Sequence, residues 1–262
     1  MAIRALILAA LAALLMALTP LPNPFGSFAK GPGIVHAIYD DDLDIYPHRI
    51  MGHIHEQDTL RGIYRSGVDV GTGEKISFRL SLSNTNPGHV FEDIRPVLGD
   101  VDGDGETDVA VIETSLTRGA SLAVYSMKNR RLVKIAQTPY VGQRNRWYAQ
   151  VGIGDFNNDG QPDVAFVDRP HLARVLRVYS FVGGKFSEIA SAKGLTNHAI
   201  GDTFTGGGVR TCDGNDQMVM EHADRGTIMV LWLKPDDDRI FGQDLKIKAT
   251  PENYDKVMGC QS

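Results

Sequence analysis

Apolar and polar positions along the chain alternate in short runs, with no sustained 3.6-residue period. Val109-Ala110-Val111-Ile112, Val164-Ala165-Phe166-Val167 and Thr227-Ile228-Met229-Val230-Leu231-Trp232 are apolar, rich in β-formers and bounded by Gly, Asp and Asn. Runs of this length and composition predict strands, not helices. They recur at a fixed spacing. Val124-Tyr125 is followed 54 residues later by Val178-Tyr179, and 53 residues after that by Leu231-Trp232. Behind the first two pairs come further strand-like stretches, Arg131 to Ala136 and Lys185 to Ala190. A repeat of about fifty residues built from several short strands predicts an all-β fold, a small β-propeller of about four blades. The units run from 93 to 146, 147 to 197 and, degenerate, 198 to 250, with a C-terminal tail over 251–262. Residues 38–92 form a candidate N-terminal blade, because Lys75 to Leu80 sits 55 residues before Arg130 to Ile135. Strands are also expected over Ile50 to Ile54 and Leu60 to Tyr64, and a hairpin turn over Asp69 to Gly73.

Each of the first two units opens on an acidic loop. Asp100, Asp102, Asp104 and Asp108 stand at positions 1, 3, 5 and 9 of one; Asp155, Asn157, Asp159 and Asp163 hold the same places 55 residues on. Gly105 and Gly160 occupy position 6, where the backbone must turn sharply. Alternate oxygen side chains on a concave turn, without nearby Cys or His, suit Ca2+ and not zinc or copper. An EF-hand needs an acid at position 12, but Val111 and Phe166 stand there and both loops run into strands. About two calcium sites are therefore expected. The third copy, Val209 to Asp216, keeps Asp213 alone at a ligand position and is expected to hold no metal.

With these loops and this period, residues 93 to about 250 resemble the FG-GAP/VCBS repeat family, whose DxDxDGxxD loops bind calcium between the first two strands of propeller blades. The resemblance implies the eight side chains above as ligands, with Glu106 and Gln161 adding backbone carbonyls. The chain departs from the family in lacking literal Phe-Gly and Gly-Ala-Pro tags and in its damaged third loop.

Residues 1–37 are set apart as a signal peptide and flanking segment. Arg4 is followed by an apolar run from Ala5 to Leu18 and then by Pro20, Pro22 and Pro24. Fourteen apolar residues are short for a bilayer span, so export to the periplasm or beyond, with cleavage near Ala29 or Ala37, is expected. After removal no membrane span remains. An oxidising compartment favours a bond between the two cysteines, Cys212 and Cys260, which would anchor the tail. A net charge of −5, without a basic stripe, argues against nucleic acid.

Other groups weigh less. Asp40, Asp41, Asp42 and Asp44 read as a solvated acidic turn, and His53 and His55 as exposed strand residues in preference to a zinc half-site. Gly206-Gly207-Gly208 lacks the Lys of a phosphate loop, no GxSxG elbow occurs, and Trp147, Tyr148 and Trp232 fit a core. The reading that results is an exported calcium-binding propeller serving as a non-enzymatic binding or scaffold module for a protein or glycan ligand. The alternative is an exported hydrolase or lyase acting on the central face through Glu92, Asp93, Arg95, Asp202 or His198. Two carboxylates, or a His–acid pair, converging in a deep central pocket would favour the enzyme.

Overall fold

The computed structural model describes residues 26–44, 46, 48–52, 56–68, 75–83, 88–235 and 237–260. Three units share one four-stranded antiparallel plan. The first comprises β6 (Val97–Gly99), β7 (Asp108–Ser115), β8 (Gly119–Lys128) and β9 (Arg131–Gln137). The second is β10 (Tyr148–Gly154), β11 (Asp163–Asp168), β12 (Val175–Val182) and β13 (Lys185–Lys193). The third is β15 (Gly208–Cys212), β16 (Asn215–His222), β17 (Thr227–Trp232) and β18 (Phe241–Lys248), with the short β14 (Leu195–Thr196) also paired to β16.

The leading strands β6, β10 and β15 lie side by side, and glycine permits the approach. A Cβ on Gly99 would stand 2.9 Å from the Ile153 side chain, and one on Gly152 would stand 2.5 Å from that of Val209.

The N-terminal unit does not stand apart as its own blade. Strands β2 (Gly33–Leu43), β3 (Glu56–Val68) and β4 (Lys75–Ser83) form a meander, with β1 (Ser27–Phe28) on its edge. Strand β5 (His89–Phe91) pairs with β3 at Gln57↔Phe91 and with β7 at His89↔Ser115. It therefore splices the meander into the first repeat, making a nine-stranded sheet that curls into a half-barrel. Leu60 to Tyr64 lies in β3, as expected, but Ile50 to Gly52 belongs to a turn. The acidic run is not a turn. Asp40 to Asp42 completes β2, where Asp40 and Asp41 pair with Arg61 of β3. Cross-strand ion pairing at the exposed end lets three carboxylates extend the strand. β2 also begins inside the segment set apart at the N-terminus, and Ala37 is buried within it. His53, His55 and the Asp69 to Gly73 turn lie outside the described residues.

Strand alternation distributes the core. Ile112, Leu122 and Val124 face the second repeat, joining Phe166, Leu176, Val178, Met220 and Leu231 in one cluster. From the same strands, Val109, Val111, Ala123 and Tyr125 face the other way, onto Ile34, Tyr39, Leu60 and Phe91. Strands buried on both faces read as continuous apolar runs, which is how β7 reads. In the third repeat Val219, Ile228 and Val230 turn away from the large core and are covered by helix α1 (Pro251–Met258) through Tyr254 and Val257. Thr250 caps this helix, its hydroxyl accepting from Asn253 N, and Pro251 occupies the first turn, where no N–H is needed. Cys260 beyond the helix is bonded to Cys212 at the end of β15, closing the tail onto the third repeat.

Val178 is fully buried in the large core. Val178→Asp is expected to cost about 4 kcal/mol or more, since it strands a charge with no partner. A circular-dichroism melt should show loss of the cooperative transition; a native-like melt would contradict this placement.

Candidate metal centres and the central cleft

Both acidic loops join the first two strands of their repeat and fold around their own side chains. In loop one, Asp100 accepts from Gly103 N at 2.8 Å and Gly105 N at 2.9 Å, and Asp104 accepts from Glu106 N at 2.9 Å. In loop two, Asp155 accepts from Asp159 N at 3.0 Å and Gly160 N at 2.9 Å, and Asp159 accepts from Gln161 N at 2.8 Å. These backbone N–H groups hold one carboxylate oxygen each and bend the chain into a concave turn.

The ninth-position acids begin β7 and β11 and are fully buried. Asp108 Oδ1, and both carboxylate oxygens of Asp163, have no hydrogen-bond partner. Burial, ahead of the neighbouring acids, pushes Asp108 up to about 6 and Asp163 up to about 7. Orphaned buried carboxylate oxygens are costly unless a cation meets them. In loop one, single oxygens of Asp100, Asp102 and Asp108 all lie within 4.8 Å of one another, the one such grouping among the described residues. The donor set of both loops, all oxygen, fits a hard divalent cation. In loop two Asn157 replaces a carboxylate, and its amide N–H donates to Asp159 Oδ2 at 2.9 Å.

The loops differ in their surroundings. Loop one is braced from the N-terminal meander: Ile34 N donates to Thr107 O at 2.8 Å, and Tyr64 Oη donates to the Glu106 carboxylate. The Lys128 ammonium, from the end of β8, lies 2.8 Å from Asp104 Oδ2 and 3.3 Å from Asp102 Oδ2. The corresponding residue in the second repeat is Val182, which is exposed. Loop two is braced by the third repeat instead, where Asp216 Oδ2 accepts from Asp155 N at 2.9 Å. The third copy itself has no loop. Asp213 and Gly214, both at positive φ, make a two-residue turn that pairs Cys212 with Asn215.

Where the leading strands meet, β1, β6, β10 and the entry to β15 surround a cleft of about 560 Å3, lined among others by Asp93, Arg95, Gln150, Gly207 and Met258. Asp93 is buried there, accepting from Ile94 N at 2.7 Å and Gln150 Nε2 at 3.1 Å. Burial pushes it up to about 7.

The remaining polar groups singled out from the sequence lie elsewhere, around a small cavity of about 40 Å3 lined by His48, Trp147 and His171. Glu92 binds His48 Nδ1 and accepts from Thr114 Oγ1 at 2.7 Å, while its carbonyl accepts from Trp147 Nε1. His198 Nε2 donates to the Asp202 carbonyl at 2.9 Å, so its Nδ1 accepts from His171 Nε2 at 2.8 Å. Burial holds both histidines below the usual range, His171 at about 4. A His–acid pair therefore exists, but not in the central cleft. Among the described residues no Ser, Thr or Cys side chain hydrogen-bonds a histidine ring. Trp147 and Tyr148 are buried, and Trp232 stacks on Phe241. Sequence reasoning missed His48, His171, Gln150 and Lys128, none of which sits in a motif; only Lys128, through its place in the repeat, had a detectable signal.

A raised carboxyl in the fold makes stability depend on pH. Unfolded Asp93 ionises near pH 4 and the folded group near 7, so the stability this group contributes is fully present below pH 4 and is lost as pH rises to 7. Asp93→Asn is expected to flatten this part of the melting-temperature profile. An unchanged slope between pH 4 and 7 would show that Asp93 does not contribute.

No curated protein matches the chain. Residues 83–166, which hold both acidic loops, match the model of the family described as FG-GAP-like repeat.

Proposed function

We propose that this chain is an exported, calcium-stapled β-propeller-like binding module whose acidic loops serve structure and whose partner is met elsewhere on the surface. The observation that carries the calcium reading is the orphaned oxygen of the buried ninth-position acid in each loop, Oδ1 of Asp108 (whose Oδ2 accepts from Val101 N) and both oxygens of Asp163, set among oxygen ligands at the remaining positions. Asp100, Asp102, Asp104 and Asp108 would hold one ion, and Asp155, Asn157, Asp159 and Asp163 the other, with the Glu106 and Gln161 carbonyls completing the sets. A bound cation offsets repulsion among these acids and ties the first strand of each repeat to the second. The FG-GAP-like match over both loops supports the same reading.

A binding role is favoured over a hydrolase or lyase by how the polar groups are separated. The central cleft holds one carboxylate, Asp93, already occupied by donors from Ile94 and Gln150. The pair His48–Glu92 lies outside it, with Glu92 saturated by Thr114. Acid–base or nucleophilic chemistry needs such groups to converge on one reacting atom.

Isothermal titration of the folded chain with calcium is expected to show about two sites, the number of complete loops. Asp104→Ala should remove the first alone, and chelation should lower the melting temperature. Three equivalent sites, or no thermal response to chelator, would sink the reading.

Lys128 makes the two sites unequal. Its ammonium must leave Asp102 and Asp104 before a cation can take them, whereas Val182 poses no such competition. Loop two should therefore fill first. In an Asp159→Ala background, which isolates loop one, Lys128→Met is expected to tighten calcium about fivefold, the ~1 kcal/mol of an exposed ion pair. Unchanged affinity would mean that Lys128 does not compete.

A further inference from the structure

The ends of the sheets opposite the acidic loops carry the opposite charge, and it is not neutralised. Arg118 lies in the turn between β7 and β8; Arg144 and Arg146 lie in the link between β9 and β10. Among the described residues none of the three forms an ion pair with a carboxylate. Arginines near them are matched: Arg49 with Asp44, Arg169 with Asp168 and Arg174 with Asp224. Nearby acids are already engaged. Glu113 takes Lys134 and Tyr125, Glu92 takes His48 and Thr114, and Glu56 accepts from Arg49 N. Three unmatched guanidiniums on one face of a chain of net charge −5 are a local feature.

The face is also built to be rigid. Gly142 N donates to Arg118 O at 2.8 Å, Ala120 N to Arg146 O at 2.9 Å and Val141 N to Ala120 O at 2.9 Å, so the turn and the link are stitched together. The Arg118 guanidinium lies 3.9 Å over the Tyr140 ring, and that of Arg144 lies 5.8 Å from the Tyr46 ring centroid. Tyr46 is itself pinned, its hydroxyl accepting from Asn145 N at 2.9 Å. A guanidinium laid on an aromatic face has its plane set in advance and keeps N–H donors along its edge for a carboxylate. Beside Arg146, the 40 Å3 cavity against Trp147 and the exposed Leu172 offers an apolar foothold. Arginine, tyrosine and tryptophan gathered in this way are the residue types that dominate binding energy at protein interfaces.

We propose that this Arg118–Arg144–Arg146 face is the partner-binding surface of the module and that its occupant is an acidic polypeptide segment, bound through Asp or Glu carboxylates. The inference rests on the binding-module reading and names its partner by charge complementarity. Separate guanidiniums of fixed plane suit discrete carboxylates, and the adjacent cavity suits one small apolar side chain of the same segment. The acidic loops at the far end would repel such a segment, so it is directed to this end alone.

Fluorescence anisotropy of labelled decaglutamate against the full chain tests this. Binding is expected at low salt, weakening steeply as salt rises, and falling tenfold or more in Arg118→Gln/Arg144→Gln. Both positions are exposed, and an unchanged thermal melt would show the variant folded. Lys185→Gln, at the other end of the second repeat, should bind like wild type. Absence of binding by wild type, equal binding by the folded double variant, or tighter binding to phosphatidylglycerol vesicles or polyphosphate would overturn the proposal. Decaglutamate binding that persists after chelation supports it even if calcium titration finds no site, so the two readings fail separately.

Discussion

The close approach of β6, β10 and β15 is the constraint on which the rest of the molecule depends. Three twisted four-stranded sheets share one core only if their leading strands nearly touch, and backbones can come that near only where a side chain is missing. Gly99 against Ile153 and Gly152 against Val209 supply the gaps. Gly99 and Gly154 also immediately precede Asp100 and Asp155. Gly99 thus both admits the neighbouring strand and places the first oxygen of loop one at the rim; in the second repeat Gly152 and Gly154 divide these two tasks. Packing of the leading strands and the shape of the acidic loops at the rim are set by neighbouring positions.

The two faces of each strand then divide the work. β7 and β8 send alternate residues to two cores, which is why the N-terminal meander can be fused to the first repeat without a sheet edge between them. Among the described residues no further sheet packs on the outer face of the third repeat. Its outer face would be open to water were it not for α1, which lays Tyr254 and Val257 over Ile228 and Val230 and is tied down by the bond from Cys260 to Cys212. Repeat arrays need such a terminal cover because their last unit exposes a face that internal units bury.

The strands and acidic loops of the repeats were legible in the sequence because both have short-range signatures: a two-residue alternation, and ligand spacing around a glycine. The spatial fate of the N-terminal segment was not legible. Nothing local in His89 to Phe91 distinguishes a three-residue splice between two sheets from an ordinary linker, since pairing with Gln57 and Ser115 is a long-range event. Asp40 to Asp42 misled for a related reason. Consecutive acids suggest a turn, and only Arg61 on the neighbouring strand makes them a strand end. Candidate chemistry was legible by residue type but not by convergence. Glu92 and Asp93 are adjacent in sequence, yet strand alternation turns one toward His48 and the other into the axial cleft.

That separation bears on how a module of the proposed kind would meet a partner. The acids are gathered at the rim where β6 and β10 end, half-neutralised by Lys128 in one loop and by backbone N–H groups in both. The unmatched arginines are gathered at the other rim, on turns whose shape is set by hydrogen bonds between neighbouring links. A molecule charged in this way is a dipole along its strands, and an approaching acidic surface is steered to one end before any contact forms. Substituting a loop acid changes that field only weakly at a distance, because charges beyond about 10 Å are screened at physiological salt. On the proposed reading the acidic loops would act on binding through the rigidity of the strands between the two rims, and the arginine face would act on it directly.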